Sequence, residues 1–310
     1  MAIGCKSSSR ALLHNDRLSA LSQTGSFMKV AVTGATGFVG RHLVPQLIAR
    51  GHEVTAFVRD EAKAGRFSWT DNVSLVPLDI QSLQADFAGA LGTQDAVVHL
   101  AWPGLPNYTS PFHFEENLPA AYRFLTQCVV ANVPQVLVTG TCFEYGMRDG
   151  CLAEALDSQP ANPYALAKDT LRKFLESWRQ QHPFVLQWAR LFYMHGEGQN
   201  PSSLLAQLDR AIDNGDAVFN MSGGEQLRDY LPVVEVARRL ILLLEHPELT
   251  GVTNICSGAP ISVRRLVERR LVERGVQMEL NLGHYPYPSY EPMAFWGDSR
   301  RFRSIDSSGV

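Results

Sequence analysis

The sequence predicts an α/β protein: a doubly wound, mostly parallel sheet followed by a smaller, mainly helical C-terminal lobe. Three observations predict it. Residues 29–33 are a short apolar, β-branched run that breaks into a glycine-spaced turn, Gly34-x-x-Gly37-x-x-Gly40. Strand-like and helix-like patterns then alternate through the first two thirds of the chain. From about Gly196 that rhythm gives way to helical periodicity.

Taken in order, strands are expected over 29–33, 53–58, 73–77, 96–100, 135–139 and 185–191. Helices are expected over 38–49, 81–88, 114–131 and 163–181. A strand, a tight glycine turn and a helix N-terminus together make an anion site. Free N–H groups and the helix dipole point at a pyrophosphate, and missing Cβ atoms let it approach. Residues 28–195 therefore read as a dinucleotide-binding Rossmann domain. Residues 196–310, with helices at 202–214, 233–244 and 263–274, read as a substrate-binding lobe partly interleaved with it. The Tyr- and Pro-rich stretch 286–296 reads as an ordered wrapping loop. Residues 1–27 are Ser-rich, carry Lys6, Arg10 and Arg17 against Asp16, and are expected to be a disordered or spurious extension ahead of Met28.

Composition excludes several classes. With 310 residues, 45% hydrophobic and 19% charged, the chain is ordinary for a globular enzyme. A net charge of −3 gives no reason to expect a nucleic-acid partner. No apolar run approaches a membrane span. The five cysteines, Cys5, Cys128, Cys142, Cys151 and Cys256, form no C-x-x-C pair. That argues against a disulfide framework or a metal site, and for a reducing, cytoplasmic setting.

The cofactor pocket is expected to use Gly34, Thr36, Gly37, Phe38, Val39 and Gly40 from the turn. Asp79 and Ile80 would join from the third strand, and Leu100, Ala101 and Trp102 from the fourth. The second strand ends at Val58, followed by Arg59, so no carboxylate is present to hold the two hydroxyls of an NAD ribose. Arg59 can instead pair with a 2′-phosphate, which favours NADP(H) and leaves NAD(H) open. Asp79 is expected either to meet the adenine amine or to cap a helix starting at Gln81.

Tyr164 and Lys168 lie four apart, just after Pro163 at a helix start, so their side chains share one face. A Tyr beside a fixed ammonium is expected to have its pKa lowered, and so to exchange a proton with a carbonyl or alcohol while a cofactor moves hydride. Alone, this spacing is common. Two other stretches stand beside it: Thr139-Gly140-Thr141-Cys142-Phe143-Glu144-Tyr145-Gly146 after the fifth strand, and His99-Leu100-Ala101-Trp102 after the fourth. With T-G-A-T-G-F-V-G, Arg228-Asp229-Tyr230, Asn254-Ile255-Cys256-Ser257-Gly258 and Phe295-Trp296-Gly297-Asp298, the chain resembles the extended short-chain dehydrogenase/reductase family over about residues 29–303.

The resemblance implies that Thr141 hydrogen-bonds the reacting sugar oxygen and that Tyr164 is the proton donor or acceptor. Lys168 would hold the nicotinamide ribose, and Arg228 would grip the substrate's nucleotide phosphates. A local Arg228–Asp229 ion pair is the plainer alternative. Trp102, Cys142, Phe143 and Asn200 complete the expected substrate contacts, and a homodimer built on helices 114–131 and 163–181 is implied as in relatives. Departures narrow the chemistry. Dehydratases of the family carry Asp-Glu directly after the Thr, where Cys142 and Phe143 stand here. The epimerising Cys of the GDP-fucose synthases falls at Phe143, and their partner His at Gly198, so Cys142 reads as packing. His195 reads as structural or substrate-lining. The stretches T-G-T-C-F-E-Y-G and Y-P-Y-P are similar to those of nucleotide-sugar 4-ketoreductases. The expected activity is thus NADP-dependent reduction of the 4-keto group of a nucleoside-diphosphate 4-keto-6-deoxyhexose, or the reverse. A nucleotide-sugar 4-epimerase that retains NAD, and a non-catalytic dinucleotide sensor, are the alternatives.

Overall fold

In the computed structural model the described residues are 27–83 and 85–306. The expectation about the N-terminal extension lies outside them, save for Phe27. Seven strands, β1 (Lys29–Thr33), β2 (Glu53–Val58), β3 (Ser74–Pro77), β4 (Ala96–His99), β5 (Gln135–Thr141), β6 (Val185–Leu191) and β7 (Gly251–Ile255), form one sheet in the order β7-β6-β5-β4-β1-β2-β3. Every neighbouring pair is parallel. The order reverses between β1 and β4, so their carboxyl ends open the crevice where such sheets bind ligands. Register puts Thr33 beside His99, which brings the glycine turn against the loop after β4.

Among the described residues, the seven α-helices of five residues or more are numbered in chain order: α1 (Gly40–Ala49), α2 (Phe87–Leu91), α3 (Leu118–Val130), α4 (Pro163–Trp178), α5 (Leu204–Asn214), α6 (Val233–Leu244) and α7 (Val263–Arg274). On one face of the sheet, Leu43, Val44 and Leu47 of α1 and Val236, Leu240 and Ile241 of α6 pack on Val30, Val32 and Val54. On the other, Phe124 and Leu125 of α3 and Leu171 and Leu175 of α4 pack on Val97, Val136 and Leu186. Each such side chain, fully buried, is worth about 1.5–3 kcal/mol of transfer free energy. Because helices cover both faces, strand interiors are continuously apolar rather than alternating. Two exceptions are functional for the fold. Gln135 Nε2 donates to Leu244 O at 2.7 Å, and Gln187 Nε2 donates to Leu243 O at 2.6 Å. These buried amides give hydrogen bonds to carbonyls at the C-terminus of α6, where the helix leaves its last carbonyls short of partners.

Several expectations need correcting. No helix covers 81–88: Asp79 Oδ1 accepts from Gln81 N at 3.0 Å in a turn, and the helix starts after Asp86, whose side chain caps it through Gly89 N. The capping role expected of Asp79 therefore belongs to Asp86. Helix 114–131 begins with a π-helical turn, His113–Asn117, before α3. Beyond β6, strands of two to five residues join the helices. β7 is the seventh strand of the main sheet, absent from the six expected. Tyr193–His195 pairs with Tyr230–Pro232, and Phe295–Gly297, at the end of the wrapping loop, pairs with Gly150–Leu152. Pieces this short carry too few residues for a period-2 signal.

Candidate active site

The turn after β1 is built by its glycines. Gly34 has φ +72°, and a Cβ there would stand 2.8 Å from Ala101 N. A Cβ on Gly40 would lie 2.2 Å from Gly34 O. Only hydrogen at these positions allows β1, the loop after β4 and the start of α1 to close on one another. Thr36, Gly37, Phe38 and Val39 line the part-exposed turn, and Thr33 Oγ1 accepts from Ala101 N at 3.3 Å. Thr33 Oγ1 also meets His99 Nδ1 at 2.9 Å. Burial, aided by the charge of Lys168, lowers the His99 pKa to about 3, so this imidazole stays neutral. Leu100, Ala101 and Trp102 continue from it, each half-buried.

At the end of β2, Val58 is buried and Arg59 exposed. Asp60 does not neutralise that arginine; its side chain caps the short helix Glu61–Ala64 by accepting from Lys63 N at 2.9 Å. Among the described residues no ion pair engages Arg59. Asp79 is exposed and Ile80 buried beside it.

The end of β5 carries the second half of the site. Thr141 is the N-cap of the 3₁₀ turn Cys142–Tyr145, with a reciprocal capping box. Thr141 N donates to Glu144 Oε1 at 2.9 Å, and Glu144 is itself locked by Trp188 Nε1 at 3.0 Å and Arg190 Nε at 2.7 Å. Glu144 and Arg190 are both buried, so this ion pair holds the loop from below. Tyr145 Oη donates to Asn254 Oδ1 at 2.7 Å, which ties the loop to β7.

Asn162 caps α4 by accepting from Ala165 N at 2.9 Å, and Pro163 takes the first helical position. The helix then turns Tyr164 and Lys168 inward. The side chains of Tyr164 and Thr141 are neighbours, the Thr141 hydroxyl acting on the phenol. Lys168 Nζ donates to Thr139 O at 2.8 Å and lies 4.0 Å from the centre of the Trp102 ring. Thr141, Tyr164 and Lys168 are thus brought together beside the glycine turn.

The electrostatics differ from the expectation. Lys168 does not leave Tyr164 with a lowered pKa: burial dominates and pushes the phenol up, with Tyr108 and Glu144 adding to it and the Thr141 hydroxyl opposing. Tyr164 is therefore held protonated. Burial also brings the Lys168 ammonium down to about 7, against the pull of Glu144. Cys142 is buried and its thiol pushed well up by that burial, with Glu291 adding to it, so it is no acid at neutral pH. Phe143 is half-buried and meets Tyr108 edge-on at 5.1 Å.

The loop after β4 folds back over α4. Trp102 Nε1 donates to His113 Nδ1 at 3.1 Å, leaving the His113 proton on Nε2, which donates to Asn107 O at 2.7 Å. The His113 ring lies 5.3 Å from Tyr164, and Asn117 Nδ2 donates to Pro103 O at 2.9 Å. Sequence reasoning named the aromatic loop but missed His113 and Asn117; a lone His and Asn inside a helical pattern give no signal.

Two expected substrate contacts are already engaged. Asn200 is exposed, its Oδ1 accepting from Ser202 N at 2.8 Å, and no contact among the described residues links it to Tyr164. Arg228 is buried and pairs with Glu291 at 2.8 Å rather than with Asp229. Asp229 instead accepts from Ser257 N at 2.7 Å and Gly258 N at 2.9 Å, fixing the turn after β7. His195 is half-buried and lowered mainly by burial, within reach of the charges on α5 and α7. Among the described residues no group of three His, Cys, Asp or Glu side chains is placed to hold a metal, and no helix is long and apolar enough to cross a membrane.

Known proteins resemble this chain in sequence and fold. The profile of the NAD dependent epimerase/dehydratase family matches residues 30–256. A dTDP-6-deoxy-L-talose 4-dehydrogenase (NAD(+)) of Aggregatibacter actinomycetemcomitans is 29% identical over 272 residues, covering 87% of this chain and 99% of its own length. A dTDP-6-deoxy-L-talose 4-dehydrogenase (NAD(P)(+)) of Kitasatospora kifunensis is 28% identical over 81% of each chain. Among solved structures, MoeE5 in complex with UDP-glucuronic acid and NAD superposes with a TM-score of 0.77 at 29% identity, over 89% of this chain and 92% of that one. This chain is an enzyme of the NAD dependent epimerase/dehydratase family, within the extended short-chain dehydrogenases and reductases.

Proposed function

We propose that the enzyme reduces the 4-keto group of a nucleoside-diphosphate 4-keto-6-deoxyhexose, with NADP(H) as its redox partner. The observation that carries this reading is Tyr164, a buried phenol kept protonated beside Thr141 at the carboxyl end of β5. A group in that state donates a proton to a developing alkoxide, the need of a ketone reduction. Thr141, fixed by its capping box, orients the same oxygen. Similarity to two 4-dehydrogenases of 6-deoxytalose nucleotides supports the substrate class.

The glycine turn fits a dinucleotide, since the missing Cβ atoms at Gly34 and Gly40 let the turn close tightly ahead of the α1 N-terminus. Arg59, exposed and without an ion pair among the described residues, suits a 2′-phosphate. Lys168 would hold the nicotinamide ribose. When bound, the nicotinamide supplies or accepts the hydride. Lys168 stays fixed through Thr139 O and the Trp102 ring, and Trp102 and His113, packed on Tyr164, keep water from the phenol.

The test is turnover of a panel of 4-keto-6-deoxy sugar nucleotides with NADPH and with NADH, followed by loss of reduced cofactor. Stoichiometric oxidation of NADPH, with tighter NADPH than NADH binding that Arg59→Ala removes, is expected. Interconversion of 4-epimers with no net cofactor consumption would replace this reading with an epimerase.

A further inference from the structure

Glu291 lies on the segment 284–293, which reaches the site through Tyr290, packed on Tyr108. Its Oε2 accepts from Arg228 Nη2 at 2.8 Å and from Nε at 3.2 Å, so the bidentate edge of the guanidinium is taken. Arg228 Nη1 is used by Leu227 O at 2.9 Å and Met293 O at 3.2 Å. Both partners are largely buried, with side-chain exposures of 3% and 10%. The carboxylate is near enough for its charge to act on Tyr108 and on Cys142, next to Thr141. The strap is tied at its ends, where Met293 O also accepts from Leu227 N at 2.9 Å and Tyr285 N donates to Met221 O at 3.4 Å, and no backbone hydrogen bond is made between them among the described residues. Tyr290 packs 6.3 Å from Tyr108, which stands 5.6 Å from Tyr164, yet Tyr285, Tyr290 and Met293 are exposed.

We infer that Glu291 is a built-in anion that occupies Arg228 until a nucleoside diphosphate displaces it, which makes segment 284–293 a latch released by substrate. The inference rests on the proposed nucleotide-sugar substrate. A buried arginine needs a counter-charge, and a single carboxylate supplies the minimum. A diphosphate brings more charge and more acceptor oxygens to the same planar fork. It cannot share the Nε–Nη2 edge with Glu291, and two anions left side by side would repel. Glu291 therefore leaves with its strap, whose exposed tyrosines offer a path to water. In this arrangement the enzyme gives up part of its affinity for nucleotide in return for a pocket that opens only to a doubly charged ligand.

Calorimetric titration with UDP and with dTDP tests the latch on the wild-type enzyme and on Glu291→Gln, Glu291→Asp and Arg228→Gln. Glu291→Gln keeps the shape and removes the competing charge, so binding should tighten by about tenfold. Glu291→Asp, which keeps the charge on a shorter arm, should fall between it and wild type. Arg228→Gln should weaken binding. Chymotrypsin should cut within 284–293 faster when wild-type enzyme is saturated with the diphosphate. Binding that is lost in Arg228→Gln but unchanged or weaker in Glu291→Gln would overturn the latch while leaving the substrate class standing. No binding of either diphosphate to any of the four proteins would remove the substrate reading and the latch with it.

Discussion

Tyr164 shows how a buried residue is tuned by what it can reach. Its phenol is eased by the neighbouring Thr141 hydroxyl yet raised by the desolvation around it, while Lys168 Nζ donates to Thr139 O. Tyr164→Phe should lower kcat by about 10²–10⁴-fold, the usual worth of a placed acid. Cofactor affinity should stay within a few-fold, because the phenol touches no part of the glycine turn. Rates and calorimetry on the same preparation check both. Thr141→Val should also lower kcat while sparing cofactor binding, and a KM effect alone would argue against contact with the reacting oxygen. Lys168 makes a pH prediction. Its pKa falls from 10.5 in the unfolded chain to about 7 in the fold, so between those values the unfolded chain binds the extra proton. Stability contributed by this group therefore rises with pH from about 7 towards 10.5, and the full cost is present below pH 7. Lys168→Met, inactive, should melt higher than wild type at pH 6, with the gap shrinking at pH 9. A constant gap would mean that Lys168 is not charged and buried at once.

At the scale of elements, the loop after β5 depends on an ion pair beneath it. Removing one partner of a buried pair typically costs about 3–5 kcal/mol, since the other charge is left alone. Glu144→Ala should cost that order in denaturant unfolding and should slow turnover by releasing Thr141. The paired change Glu144→Gln with Arg190→Met should recover much of the stability but not the rate. This scale also separates what the residues disclose from what they conceal. The glycine turn was legible because three glycines, a strand before and a helix after leave one conformation open to the chain. The Tyr164–Lys168 pair was legible from its spacing, and Thr141 from the family resemblance. His113, Asn117 and Glu291 were not, because each acts through a partner far away in sequence: Trp102 for one, Pro103 for another, Arg228 for the third. The helix placed at 81–88 failed for a local reason. The Asp79 side chain closes a turn there before a helical hydrogen bond can form.

For the whole molecule, α3 and α4 leave an apolar face outward, with Val130, Leu166 and Phe174 exposed and Tyr122 packed 5.7 Å from Phe174. A homodimer through this face is our proposal. Leu166→Asp with Phe174→Asp should halve the mass measured by light scattering; an unchanged mass would place any interface elsewhere. The sheet order has a further consequence, for synthesis. Strand β6 ends at Leu191, but its outer partner β7 begins only at Gly251. At roughly 5–20 residues per second, a ribosome needs several seconds to make that stretch. During that time the outer edge of β6, rich in apolar side chains, stands open to any other nascent strand. A chain stopped before β7 should therefore aggregate as it is made, whereas one carried a few tens of residues past Ile255, clear of the exit tunnel, should close its own edge.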